Sequence, residues 1–585
     1  MLHAARTWFG LLCGFALVAF AQAGEYDYTS FQKIIQCKAP NGLFTPNSTD
    51  DVISIVKQAA AANQSVRVIT PNRWSITDVL CSESTNGLVL SLQNFKDLTY
   101  NQTANTVTAG SGWQVQKLSE AIGQMFNVSF IHLPSFGSIT VGGAVATGAH
   151  GSSLNHVPSL SDNLVGVRVV QADGTLRNIT DAATLRHYKV NLGTLGVITD
   201  FTFPVVPLFK VQWTTTPYDE SVLTNGTLLD LAKQSDGIYV YWNPHSKSVV
   251  AAVMKYVNSS APGNDYWNYI PNVLEAFRAV QKTEYEILQS TGLTSLFCAA
   301  EDQLHARLTS NTGLYQLIAP YFENAVTKQK SGSAFGNGLT STGFSYNMLS
   351  SFCDDCAFNE PEAIYFNDFG IDMPLDQLVP AITFTQNIIS RLPVCFPLSD
   401  ILIRFIKASD ADLISPSGAD YVSIEWDTTH RNDPFKDPEL DLGWVNWVSQ
   451  GYLLNFNAKS HWGKTGNFPH YANPVGIPLA AQLYPQLPEF TRYQQSIDPN
   501  GMFLNDFYKA SVLGNATIRA TKTYPKCALT YDCVCSTDEH CAAGQKCTDV
   551  PLPANKTAKI CLDSDQQAGL LDTVGALVED FNQHF

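Results

Sequence analysis

Charge is scarce in this 585-residue chain: Asp, Glu, Lys and Arg together make up 15% of it. The positive kind is the scarcer, 36 Lys and Arg against 52 Asp and Glu, for a formal net charge of -16. That balance excludes a nucleic-acid binder, whose affinity rests on cations neutralising phosphates. It also argues against anionic membrane surfaces. Beyond the N-terminal segment no apolar run approaches the roughly 20 residues a spanning helix needs, so no stable membrane span is expected. The G-x-S-x-G elbow, H-E-x-x-H, the Walker loop and G-x-G-x-x-G are all missing, which removes the hydrolase, zincin, P-loop and dinucleotide classes those motifs mark. Cys353-Asp-Asp-Cys356 has ligand-like spacing but no second pair. It reads as a disulfide participant, and no metal is expected. Repeats and low-complexity tracts are absent too. With 45% hydrophobic residues, the chain is neither disordered nor fibrous.

What is present points first to a compartment. Arg6, an apolar run from Trp8 to Ala21 and the small-x-small site Ala21-Gln22-Ala23 make residues 1–23 a secretory leader. Of 13 cysteines, Cys13 lies in that leader, leaving an even number for disulfides. Nine Asn-x-Ser/Thr sequons begin at Asn47, Asn63, Asn101, Asn127, Asn178, Asn225, Asn258, Asn515 and Asn555. Together they predict a glycosylated protein that is secreted, to the extracellular space or cell wall.

The length suggests two to four domains. Asn47 to Asp51 reads as a helix cap with acidic residues in the first turn, and Val52, Ile53, Val56, Ala59 and Ala60 follow at helical spacing. Strands are predicted near 66–69, 88–92, 106–109, 164–170 and 195–203, with a helix over 114–125. From about 210 to 450 the pattern turns to longer mixed segments, an α+β region. Cys527, Cys533, Cys535, Cys541, Cys547 and Cys561 then crowd into a small stapled module whose connectivity the sequence leaves open. Cys37 with Cys81 is a plausible pair, and Cys298 and Cys395 suit Cys353 and Cys356. Leu570 to Phe581 forms an amphipathic helix that docks on its own protein.

Chemistry concentrates in Leu133–Ser153, a stretch carrying Gly137, Gly142, Gly143, Gly148 and Gly151 beside the hydroxyls of Ser138, Thr140 and Thr147. Bare backbone beside hydroxyl donors suits a pyrophosphate, and it equally suits a Gly-rich turn in a β-rich scaffold. Two more segments decide between these by resemblance. Val66-Arg-Val-Ile-Thr-Pro-Asn-Arg-Trp-Ser75 and Leu192-Gly-Thr-Leu-Gly-Val-Ile-Thr199, taken with 133–153 in this order, resemble the flavin domain of the vanillyl-alcohol oxidase (PCMH-type FAD-binding) family. The resemblance implies that FAD is held by Asn72, Arg73, Trp74, Ser75, Thr140, Gly142, Gly143, Thr147, Gly148, His150, Gly151, Gly196 and Ile198.

Further along, His461-Trp-Gly-Lys464 and Asp498-Pro-Asn-Gly-Met-Phe503 resemble the aldonolactone and alditol oxidases. The tail from Cys527 to Cys541 resembles plant L-gulonolactone oxidase-like proteins, and the likeness spans residues 37–561. It implies an α+β fold: a two-part FAD-binding PCMH-type domain (40–210), a substrate or cap domain (211–450), a segment returning to the flavin (451–520), a cysteine-rich module (521–562) and a terminal helix (563–585). It also implies that Arg404, Lys464 and His461 act on substrate. Arg404 would hold a lactone oxygen or developing enolate, Lys464 would stabilise charge, and His461 would position the sugar or accept the proton. Read alone, Arg404 in the apolar strand 401–406 equally suits an ion pair with a carboxylate such as Asp412. His461 beside Trp462 equally suits a core histidine. Asp427 and His430 carry no motif and receive no role.

Two departures refine the expectation. Relatives carry a flavin-linking His where this chain has Trp74, so FAD is expected to be noncovalent; Trp74 either stacks near the flavin or fills space. Alditol oxidases place a Glu where this chain has Leu402, which favours a lactone over an open-chain polyol. The expected reaction takes a small sugar lactone such as L-gulono-1,4-lactone and O2 to the 2-keto lactone and H2O2. The alternatives are an FAD enzyme for another carbohydrate or alcohol, and a noncatalytic extracellular flavoprotein.

Overall fold

The computed structural model describes residues 24–31, 35–70, 73–244, 247–264, 266–267, 331–332, 340–350, 365–390, 401–414, 418–430, 442–466 and 474–563. The leader, Asn72, Cys298, Cys353, Cys356, Cys395 and the helix expected at 570–581 lie outside these residues.

The N-terminal part is built around two larger sheets, with two small two-stranded ones beside them. Helix Thr49–Ala61 starts where expected: Ser48 Oγ accepts from the Asp51 amide at 3.2 Å, and the Asp51 carboxylate accepts from the Ser48 amide at 3.0 Å. This reciprocal cap satisfies two orphan donors of the first turn. The helix buries Val52, Ile55, Val56 and Ala59 against a three-stranded parallel sheet ordered Leu43–Phe44, Gly87–Ser91, Ser65–Ile69. Its central strand is apolar without alternation because both faces are covered. The second sheet is antiparallel and ordered Leu176–Ile179, Gly166–Val170, Val197–Pro204, Thr106–Gly110, Leu98–Asn101. Gly174 at φ 74° turns its first hairpin.

Strand Lys210–Asp219 opens a third, eight-stranded antiparallel sheet. Its order is Thr340–Phe344, Lys210–Asp219, Ser248–Val257, Gly237–Asn243, Ile401–Ile406, Tyr421–His430, Tyr365–Pro374, Lys459–Ser460. Period-2 alternation separates its two faces. One face presents Ile238, Val240, Trp242, Ile401, Ile403, Phe405, Ile424, Trp426 and Phe369 to a buried apolar cluster shared with helices Leu378–Ile389 and Leu442–Asn455. The other carries Tyr239, Arg404, Ser423, Glu425, Asp427, Asp368 and Asp372, read directly from the pairing register. The polar face is the one that meets the flavin-domain loops.

The cysteine-rich module is a structural layer. Its disulfides are Cys527–Cys533, Cys535–Cys547 and Cys541–Cys561, and Cys37–Cys81 forms near the N-terminus as the sequence suggested. Leu529, Tyr531, Val534, Leu552, Ile560 and Leu562 join the apolar cluster behind the large sheet. Cys541→Ser should therefore cost about 2–5 kcal/mol of stability. Calorimetry should show a lower Tm for the sheet as a whole; a separate module transition with an unchanged main transition would contradict this packing.

The main local difference from the sequence reading is a helix, Val141–Thr147, inside the Gly-rich stretch. Thr140 caps it by accepting from the Gly143 amide at 3.4 Å, and Gly148 at φ 72° ends it. Two glycines lower its intrinsic propensity. Burial of Val141, Ala144 and Val145 supplies the packing that offsets this.

Candidate functional site

Three chain segments converge on the polar face of the large sheet. The first is strand Ile401–Ile406, whose Arg404 is 5% exposed. Its guanidinium makes a charge-assisted contact with Glu425 through Nε and Nη2. Its Nη1 donates to the His150 carbonyl at 2.5 Å and to Ser135 Oγ at 3.5 Å. Arg404 is thereby tied to the Gly-rich segment. Asp412 pairs elsewhere, with Arg186 at 2.8 Å and with His187.

The second segment is the turn His461–Lys464. It lies on the edge of strand Tyr365–Pro374: the His461 amide donates to Gly370 O and the Thr465 amide to Asp368 O, each at 2.8 Å. A Cβ on Gly370 would stand 3.2 Å from Lys464 Cγ, closer than such contacts normally come. Lys464 Nζ pairs with Asp368 and lies 3.5 Å from Glu425 Oε2. Burial pulls its ammonium down to about 7, while the two carboxylates beside it favour the charged form. The same turn reaches the flavin domain, where the Ile76 amide donates to Gly463 O and Thr77 Oγ1 to Trp462 O, both at 3.0 Å. Trp462 is buried and donates to Leu413 O at 2.7 Å.

His461 Nδ1 accepts from the Gly463 amide at 3.1 Å, and its ring also bonds the Gly148 backbone. Burial and then the Arg404 charge depress it to about 4, so the ring is neutral. With Nδ1 accepting, the pattern assigns the proton to Nε2, facing the Gly148 carbonyl. Both nitrogens serve the main chain, so of the two roles set out for His461 the geometry supports positioning.

The third segment is the Gly-rich one. Gly142 is half-buried and Gly143 exposed. A Cβ on Gly143 would meet only its own Thr140 within 4 Å, so the first turn of the helix is bare on that side. Thr140 Oγ1 donates to Thr70 Oγ1 at 3.0 Å, and Thr147 Oγ1 to Gly143 O at 3.0 Å. Gly151 admits no Cβ, because Leu133 O would lie 2.4 Å away. Gly196, at φ 117°, passes as closely under Val170 O, at 2.6 Å. The carbonyl of Ile198 accepts from Ser111 Oγ. Arg73 takes φ 46°, which sets the loop direction before Trp74 and Ser75. Trp74 lies between Phe31, with ring centroids 3.8 Å apart, and Phe136, edge-on at 4.3 Å.

Among the described residues, Trp74 Nε1 and His150 Nε2 are buried without a hydrogen-bond partner. His150 is 3% exposed and its Nδ1 faces Gly151 O at 3.0 Å. Burial, then the Arg404 charge, keeps it neutral. Unsatisfied buried nitrogens are rare and ask for a ligand. A bare helix turn with hydroxyls beside it suits a dinucleotide's phosphates, so the residues fit FAD.

The comparisons with known proteins agree with that fit. Residues 40–180 match the model of an FAD binding domain, and residues 201–511 match that of D-arabinono-1,4-lactone oxidase. The chain belongs to the D-arabinono-1,4-lactone oxidase family. L-gulonolactone oxidase 2 of Arabidopsis thaliana is 26% identical over 92% of this chain and 91% of its own length. L-gulonolactone oxidase 5 of the same plant is 27% identical over 90% and 89%. An L-gulono-1,4-lactone dehydrogenase of Mycobacterium tuberculosis is 23% identical over 82% and 97%. In fold, a cholesterol oxidase from B. sterolicum aligns with TM-score 0.63 at 14% identity, over 84% of this chain and 97% of that one. This lactone oxidase family member is accordingly of the plant L-gulonolactone oxidase-like type. It has the PCMH-type α+β fold and FAD as cofactor, and it is an oxidoreductase acting on CH–OH groups.

Asp368, Glu425 and Asp427 are site-face residues that motif reading passed over. They were open to view in the sequence as the polar half of two alternating runs, 366–373 and 421–427. Burial pushes the Asp372 and Asp427 carboxyls up to about 7, and Glu425 adds to both shifts.

Proposed function

We propose that this protein oxidises a sugar 1,4-lactone of the L-gulono-1,4-lactone kind at its C2 alcohol, with O2 as acceptor. The observation that carries the reading is the buried pair Arg404 and Glu425 with the half-buried Lys464 and Asp368 beside it, on the sheet face tied to His150. FAD, once bound, would supply the two-electron acceptor for the C2 hydride. The polypeptide does the rest. Arg404 donates to a ring or carbonyl oxygen of the lactone and stabilises enolate character. Lys464 places a second positive charge beside the same substrate. His461 fixes the turn that carries Lys464. The product is the 2-keto lactone, which enolises to an ascorbate-type compound, and O2 leaves as H2O2. Arg73, Trp74, Ser75, Thr140, Gly142, Gly143, Thr147, Gly148, His150, Gly151, Gly196 and Ile198, with Asn72, would hold the cofactor. Trp74, packed between two phenylalanines, carries no imidazole and so leaves FAD noncovalent at that position.

The domain division is proposed at the limits set out above, with strand Lys459–Ser460 adding an edge to the substrate sheet. Secretion and glycosylation belong to the same reading: all nine sequon asparagines are exposed. No helix among the described residues is long and apolar enough to cross a membrane.

The test is a spectrum and an acid precipitation of the purified protein, followed by peroxide assay with L-gulono-1,4-lactone. Yellow protein that releases FAD to the supernatant and forms one H2O2 per lactone consumed is the expected result. Flavin retained in the pellet would refute noncovalent binding. Lactone oxidation without peroxide would refute the oxidase step and favour a dehydrogenase.

A further inference from the structure

We propose that Glu425 sets the charge selectivity of the site, admitting an uncharged lactone and turning away the carboxylate its ring opening produces. The inference rests on the lactone reading and deepens it. A lactone in water is always in company with its hydrolysed acid, which has almost the same hydroxyl pattern. Hydroxyl recognition alone separates the two poorly, whereas charge separates them well.

The residues that would attract a carboxylate are Arg404 and Lys464, and Glu425 answers both. Its Oε1 meets Arg404 and also accepts from Ser423 Oγ at 3.1 Å. Its Oε2 lies 3.5 Å from Lys464 Nζ. Asp368 supplies the second carboxylate to the same lysine. Around Glu425, two cations thus meet two anions, with Lys459 and Asp372 as a separate pair farther along the face. Glu425 is 5% exposed, so this balance operates where water screens little. Asp372, buried, and Asp427, partly buried, share the same face, and the buried Lys459, strand partner of Asp372, answers the first of them. An incoming carboxylate must displace Glu425 or Asp368 from its partner, or add a third negative group beside them. A neutral lactone adds no charge to this set and so leaves both ion pairs in place. The placement is a consequence of register. Leu402 and Glu425 are direct partners on neighbouring strands, so the carboxylate reaches Arg404 from across the ladder, where position 402 itself offers only an apolar side chain.

The experiment uses the full-length FAD-loaded protein and two probes, L-gulonate and L-gulono-1,4-lactone, under anaerobic conditions. Perturbation of the flavin spectrum gives the gulonate Kd; bleaching reports the lactone. In the wild type, gulonate should give no saturable change at concentrations where the lactone saturates. Glu425→Gln should tighten gulonate at least about tenfold while weakening the lactone, and Glu425→Asp should restore exclusion. A merely structural role would weaken both ligands together. Asp368→Asn should shift gulonate in the same direction, which keeps the test available if Glu425→Gln does not retain flavin. Gulonate binding that is equal in wild type and in the Gln and Asn variants, or wild-type binding of gulonate as tight as that of the lactone, would overturn the proposal. Failure of the lactone to bleach wild-type flavin would instead overturn the substrate reading, and the gulonate titrations would still report on Glu425.

Discussion

Arg404→Met should lower kcat/KM for L-gulono-1,4-lactone by about 10²- to 10³-fold, with FAD still bound. The magnitude is that of removing one preorganised, charged hydrogen-bond donor from a site shielded from water. Arg404 is fixed on three sides, by Glu425, by Ser135 and by the His150 carbonyl, so its guanidinium is oriented before substrate arrives. The substitution also takes from Glu425 the nearer of its two cations, leaving Lys464 at 3.5 Å, a loss bounded by the roughly 3–5 kcal/mol of breaking a buried pair. A double variant separates the two effects. Arg404→Met with Glu425→Leu removes the stranded charge and should recover most of the lost Tm, yet turnover should stay low. Recovery of turnover along with Tm would mean that Arg404 only holds the sheet face together.

Lys464→Met is the second large effect, about 10²-fold in kcat, and it carries a pH signature. Burial draws the Lys464 ammonium down to about 7. A lysine is charged below its pKa, so the stabilisation it gives is present at acidic pH and lost as pH rises through that value. The wild-type rate of anaerobic flavin reduction should fall above about pH 7, and Lys464→Met should lose that fall apart from any part owed to Asp372 and Asp427, whose carboxyls titrate in the same window. Lys464→Arg keeps its charge throughout; its rate should be lower in absolute terms but should not decline. His461, depressed to about 4, stays neutral over this window and adds no inflection. A decline that persists in Lys464→Met would assign the ionisation to another group.

The legible parts of this protein were those where a local rule acts alone. The Ser48–Asp51 cap, the alternation-free strand at 88–91 and the hairpin at Gly174 follow from neighbours in sequence. The Gly-rich stretch was legible as a site and not as a helix, because packing of Val141, Ala144 and Val145 overrides the glycine propensities. Arg404 was recognised by resemblance, but its partner was not. Asp412 is eight residues away and pairs with Arg186 and His187, whereas Glu425 arrives from the adjacent strand. Strand register is a nonlocal property, and a single sequence does not state which run lies beside which. The same reason hid Asp368, whose strand precedes Lys464 by almost a hundred residues. Three tail disulfides among 15 possible connectivities were likewise open, because six cysteines within 35 residues are all near one another in sequence and only the folded module brings particular pairs together.

The most direct measurement of the account is rapid mixing of the oxidised, FAD-loaded protein with L-gulono-1,4-lactone in the absence of O2. A saturable loss of flavin absorbance is expected in the wild type, slowed about 10²-fold or more in Arg404→Met and restored to the oxidised spectrum when air is admitted. A bound flavin that stays oxidised with the lactone, or that bleaches equally fast in the two proteins, would contradict it.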